Sequence, residues 1–111
     1  AIEVKVLHGR SPLFVQRSDG TIQNKYDVKI LNKTTNDIPV KITAEGIEDM
    51  LVKGTEGTVV AKKGNTGSYI VFINAPAENI KSERTPIIFK IVNQDDPTQT
   101  SSYESMFFAP K

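Results

Sequence analysis

The chain has 111 residues and a mass of 12.3 kDa, which is room for one domain. Fourteen basic against thirteen acidic residues leave a net charge of +1, which removes a strong electrostatic case for nucleic acid or an anionic membrane surface. There is no cysteine, which excludes disulfides, thiol nucleophiles and cysteine-bound metal clusters within the chain, and apolar runs such as Ile70-Val71-Phe72-Ile73 fall far short of a membrane span.

Ten Val, twelve Ile and ten Thr stand against four Leu and six Ala. Branching at Cβ stiffens χ1 and suits a pleated surface better than a helix, so the composition predicts an all-β domain. Ile2 to Val6 is the first strand. Leu13-Phe14-Val15 is a short one, ended by the turn dipeptide Asp19-Gly20. From Ile22 the even positions read Ile, Asn, Tyr, Val, Ile and the odd ones Gln, Lys, Asp, Lys, which is the period of a strand with one buried face. Ile38, Val40, Ile42 and Ala44 repeat the pattern, and Asn32 to Asp37 between them are turn formers, so the two strands are expected to pair as an antiparallel hairpin. Pro39 has no N–H, so one side of its strand should be unpaired there. Met50-Leu51-Val52 and Thr58 to Ala61 are further short strands. Ser68 to Asn74 is apolar on both faces, which predicts a central strand covered more completely than its neighbours. A long link from Ala75 to Thr85, with flanking prolines, could cross between sheets. Pro86 to Asn93 and Ser101 to Phe108 complete the set, separated by the turn Asn93 to Pro97. Seven to eight short strands without helical period read as a two-sheet antiparallel sandwich over residues 1–111, immunoglobulin-like and of the fibronectin type, because the cysteine pair and tryptophan of antibody domains are missing. A small closed barrel is the alternative architecture.

Few residues offer chemistry. The single histidine, His8, stands beside Gly9 at the end of the first strand and reads as a turn residue in solvent. Soft-metal chemistry would need it to meet Met50 or Met106, so His8, Met50 and Met106 are the candidate copper ligands, with core packing as the ordinary role of both methionines. Glu48-Asp49 and Asp95-Asp96 lack the alternating spacing of a calcium loop. No G-x-S-x-G elbow, Walker motif or dinucleotide glycine pattern is present, and a hydrolase or transferase is therefore the least favoured class. No catalytic or cofactor-binding residue is assigned. Asn32-Lys33-Thr34 matches an N-glycosylation sequon in a predicted turn. Tyr26 and Asn24 fall on a buried face and must each find a hydrogen-bond partner. Outward lysines at 5, 25, 29, 41 and 90 fit solvation and edge protection.

Three stretches carry a family resemblance. Arg10 is followed by Leu13-Phe14 and by Asp19-Gly20-Thr21-Ile22-Gln23-Asn24-Lys25-Tyr26-Asp27-Val28-Lys29-Ile30-Leu31-Asn32-Lys33-Thr34; Pro76 to Phe89 ends in the strand entry Arg84-Thr85-Pro86-Ile87-Ile88-Phe89; and Asp95-Asp96-Pro97 precedes a closing Glu104-Ser105-Met106-Phe107-Phe108-Ala109-Pro110. In order and spacing these resemble the C-terminal immunoglobulin-like domain of the FixG/CcoG proteins, accessory factors for cbb3-type cytochrome c oxidase. Ala109 departs from the glycine expected before the last proline. The resemblance implies excision from the C-terminus of a larger membrane protein. It places iron–sulfur clusters only in the upstream part of that parent and no cofactor in this domain. It also implies a position on the periplasmic side of the bacterial cytoplasmic membrane, and protein partners such as oxidase subunits or copper-delivery factors, with no nucleic acid and no membrane insertion by the domain itself. A non-catalytic interaction module is the leading expectation. The alternatives are a copper-binding domain and an unrelated secreted adhesin or carbohydrate-binding sandwich.

Overall fold

The computed structural model describes residues 2–110. Among the described residues there are nine strands: β1 (Ile2–His8), β2 (Val15–Gln16), β3 (Thr21–Asn32), β4 (Ile38–Glu45), β5 (Leu51–Lys53), β6 (Val59–Ala61), β7 (Thr66–Pro76), β8 (Arg84–Asn93) and β9 (Thr100–Phe108). One 3₁₀ turn, Ala77–Asn79, is added in the link between β7 and β8. The first sheet runs β1-β3-β7-β5, with β2 continuing the β1 edge of β3; the second runs β6-β4-β8-β9. β1 and β2 therefore share one sheet position, interrupted by the loop 9–14. All pairings are antiparallel.

The inward residues follow from the period-two alternation. Tyr26, Val28 and Ile30 of β3 and Val71 and Ile73 of β7 face Val40 and Ile42 of β4, Ile87, Phe89 and Ile91 of β8 and Phe107 of β9, all buried in one core. Each large aliphatic side chain so placed stabilises the fold by about 1.5–3 kcal/mol relative to an exposed one. The edge-to-face contact of Tyr26 on Phe89, with centroids 4.9 Å apart, bridges the two layers.

Two expectations fail for physical reasons. β3 and β4 do not form a hairpin. β3 is flanked by β1 and β7, β4 by β6 and β8, and residues 33–37 carry the chain from one sheet to the other. Turn-forming residues make a loop whether it folds back in one sheet or crosses to the next. The crossing is pinned by Asn32, whose Nδ2 donates to the carbonyls of Asn36 and Ala61 while Oδ1 accepts from Thr34 N–H and Oγ1–H. Asn32 is fully buried and its amide hydrogens are engaged, so the sequon is not an acceptor in the folded domain. β7, in turn, is not covered more completely than its neighbour β3: Ile70 is 43% exposed and Phe72 half-buried on the outer side of the first sheet, whereas in β3 only Lys25 is exposed.

The link 75–85 does cross between sheets, since β7 and β8 lie in different ones. At Pro39 the β8 ladder has not yet begun; it starts at Val40, and the Pro39 carbonyl accepts from Gln94 N–H instead. Among the described residues no helix is long and apolar enough to cross a membrane.

Candidate functional site

β1 closes one edge of the first sheet and β9 one edge of the second, and the two edges meet along one flank of the sandwich. Where they diverge toward the end of β9, a groove of about 1160 Å³ opens. Val6 and His8 of β1, Leu13 of the following loop, and Tyr103, Met106 and Phe108 of β9 line it. Arg10, Glu45 and Glu104 bring charge to the lining.

Polar side chains at the back of this groove tie the two sheets together. Asn24 of β3 reaches across to β9, where its Nδ2 donates to the Phe108 carbonyl at 2.8 Å and its Oδ1 accepts the Phe108 N–H at 2.8 Å. Both backbone groups belong to an edge strand and would otherwise be open to a further strand. Tyr26 donates its hydroxyl to the Met106 carbonyl at 2.9 Å, which supplies the partner that a buried phenol requires. Burial raises the Tyr26 hydroxyl well above its ordinary pKa, so it remains a donor and not a phenolate.

His8 is not a turn residue in solvent. It is half-buried, its ring lies edge-on to both Tyr26 and Phe108 with centroids 4.8 Å away, its Nε2 is 2.6 Å from Asn24 Oδ1, and its Nδ1 contacts the Gly9 carbonyl. The reason is parity: His8 follows Val4 and Val6 on the inward face of β1, pairs with Tyr26 in register, and so turns toward β9. Sequence adjacency to glycine suggested a turn, but the alternation of β1 continued two residues further, through Leu7 to His8, would have shown the inward direction.

The three candidate copper ligands are not gathered at one point. His8 and Met106 line the same groove, but both His8 nitrogens already face protein oxygens. Met50 precedes β5, on the opposite edge of the first sheet from β1, three strand spacings or roughly 14 Å away. Its sulfur accepts the Ile47 N–H at 3.4 Å. Among the described residues no three His, Cys, Asp or Glu side chains are grouped to hold a metal. Asp95 and Asp96 belong to a turn in which Asn93 Oδ1 accepts both of their backbone N–H groups.

The chain, over residues 1–110, matches the family described as "IG-like fold at C-terminal of FixG, putative oxidoreductase". It belongs to the FixG C-terminal family. A 46-residue stretch is 44% identical to the nitrogen fixation protein FixG of Rhizobium meliloti, covering 41% of this chain and 9% of that protein. Protein RdxB of Cereibacter sphaeroides is 36% identical over 66 residues, 58% of this chain and 14% of its own length. Protein RdxA of the same organism is 30% identical over 79 residues, 68% of this chain and 17% of its own length. The matched stretches thus span less than a fifth of these relatives. A solved FixG-related protein from Vibrio parahaemolyticus shares the fold, with a TM-score of 0.86 at 23% identity over 99% of this chain and 97% of that one. The N-terminal domain of PorA has a TM-score of 0.56 at 17% identity, over 96% of each chain.

The FixG C-terminal fold accounts for the residues singled out from the sequence. Asn24, Tyr26 and the Met106–Phe108 segment, which stand in the motifs of the resemblance, form the clasp between β3 and β9. Arg10 and Leu13 stand on the loop that walls the groove.

Proposed function

We propose that this FixG C-terminal domain is a non-catalytic docking module of a larger FixG/CcoG-like accessory protein in cbb3-type cytochrome c oxidase assembly. It would act on the periplasmic side of the cytoplasmic membrane, and oxidase subunits or copper-delivery factors would be its partners. The observation that carries the reading is the flank groove, an apolar concavity lined by Leu13, Tyr103, Met106 and Phe108 whose neighbouring polar side chains are engaged in holding the sandwich. Apolar concavities with a few charges at the rim are what protein partners recognise. Leu13 is 38% exposed there, a position where an apolar residue gains by being covered.

The test is co-purification from cells carrying the full-length parent with Leu13→Asp or Met106→Lys. Loss of oxidase subunits or copper-delivery factors from the complex, with the parent present at wild-type level, is the expected result. Retention of every assembly contact in these variants and after deletion of the whole domain would refute it.

A further inference from the structure

The outer face of the first sheet carries a second concavity, which meets the flank groove only at His8 and Arg10. Its floor is the outward column of β3: Gln23, Lys25 and Asp27. Register places Leu7 of β1 beside Asp27 on one side and Ile70 of β7 beside it on the other. Val15 of β2 flanks Gln23, and Phe72 of β7 flanks Lys25. The result is a channel of about 300 Å³ with apolar walls and a polar floor. Leu7, Val15 and Ile70 are each more than 40% exposed. Three large apolar residues exposed about one channel, on either side of its polar floor, are more than singly scattered ones.

Charge and width narrow the occupant. Lys25 is exposed on the floor, Arg10 stands at the end, and Lys5 lies one row beyond Leu7; none of the three has an ion pair among the described residues. The one acid in the channel, Asp27, is partly neutralised by Lys29 at 3.4 Å, and its Oδ1 has no hydrogen-bond partner. The walls stand two strand spacings apart, roughly 10 Å between backbones. Side chains reduce that gap further. A helix with its side chains is about 10–12 Å across and does not enter, whereas a single extended chain does.

We propose that this channel docks an extended, acidic segment of a protein partner. Its apolar side chains would lie against Leu7, Val15, Ile70 and Phe72, and its carboxylates would meet Lys25 and Arg10. Complementary charge of this kind sets partner choice and on-rate, while the apolar walls set residence time. The inference does not depend on the docking role of the flank groove.

The domain folds on its own in the related Vibrio chain, which it covers to 97%, so the 111-residue chain is a fair reagent. The probes are two ten-residue fluorescent peptides, one of alternating Glu and Leu and one of alternating Lys and Leu, followed by anisotropy at low and high salt. The Glu/Leu peptide should bind at least about ten-fold more tightly than the Lys/Leu peptide, and the difference should shrink as salt screens it. Lys25→Glu and Ile70→Asp should each weaken binding about ten-fold or more. Lys25 is exposed, so its reversal tests the channel even where Ile70→Asp impairs folding. Equal binding of both peptides, no binding, or binding unchanged by Lys25→Glu would overturn the inference. So would a failure to bind peptide combined with Lys25-dependent binding to phosphatidylglycerol vesicles, which would assign the face to lipid. Loss of partners in Leu13→Asp but not in Lys25→Glu would overturn this channel and leave the flank groove standing.

Discussion

Asn24 holds more of the structure than any other polar side chain in the groove. Its amide satisfies both backbone groups of Phe108 and accepts from His8 while only 1% exposed. A buried donor or acceptor left without a partner costs about 1–3 kcal/mol, and Asn24→Ala would strand several at once. Its loss should lower stability in urea unfolding by about 2 kcal/mol or more. Tyr26→Phe removes one hydroxyl and strands one carbonyl, so a smaller loss of about 1–2 kcal/mol is expected in the same measurement. At the surface, Asp37 accepts the Lys63 N–H at 2.9 Å and lies 3.6 Å from Lys62 Nζ. The Lys63 hydrogen bond, helped by the Lys62 charge, lowers its pKa. A carboxyl lowered in the folded state contributes stability above its unfolded pKa and loses it as pH falls through the folded one. Asp37→Asn should therefore flatten the acid limb of a stability–pH profile below about pH 4 and leave its shape near neutrality unchanged. Asp19, lowered chiefly by the Thr21 hydroxyl and then by the Thr21 N–H, contributes to the same limb.

The strands themselves were legible wherever one face is buried. β3, β4, β8 and β9 alternate over eight to twelve residues, and the inward sets predicted for β3 and β4 are the buried or half-buried sets observed. The short edge elements shifted: Leu13 to Val15 became Val15–Gln16, and Met50 to Val52 became Leu51–Lys53. A two- or three-residue strand is defined by the neighbour that it pairs with and has too few residues to show a period. Pairing also depends on close approach between elements. Gly46, just after β4, has φ +139°, and a Cβ there would lie 2.8 Å from the Pro86 carbonyl oxygen. Gly20 also has positive φ, at +88°, but nothing lies within 4 Å of its Cβ position. Both alanine substitutions strain the backbone, and only Gly46→Ala adds a clash with β8. Gly46→Ala should thus be more destabilising than Gly20→Ala by about 1 kcal/mol or more, read from the difference in their denaturation midpoints.

The whole domain is an elongated sandwich of 46 × 26 × 21 Å, with a single layer of side chains joining its sheets. Phe89 stands in that layer, fully buried and packed on Tyr26. Phe89→Ala should cost about 3–5 kcal/mol, a large part of the 5–15 kcal/mol that holds a domain of this kind together, and thermal unfolding should show it as a drop well above 10 °C. β-branched composition and period-two alternation were enough to specify an all-β domain, the inward faces of its long strands and the need of Tyr26 and Asn24 for partners. These are local properties: each side chain's face is decided by its neighbours two residues away. Which sheet each strand joined, where His8 pointed and what Asn24 bonded were decided only by tertiary structure. The clasp joins residues 84 apart in sequence, and the loop from β3 to β4 has the same turn chemistry whether it closes a hairpin or crosses the sandwich. The groove and the channel arise in the same way, from edges and walls contributed by strands distant in the chain, so neither leaves a contiguous motif to read.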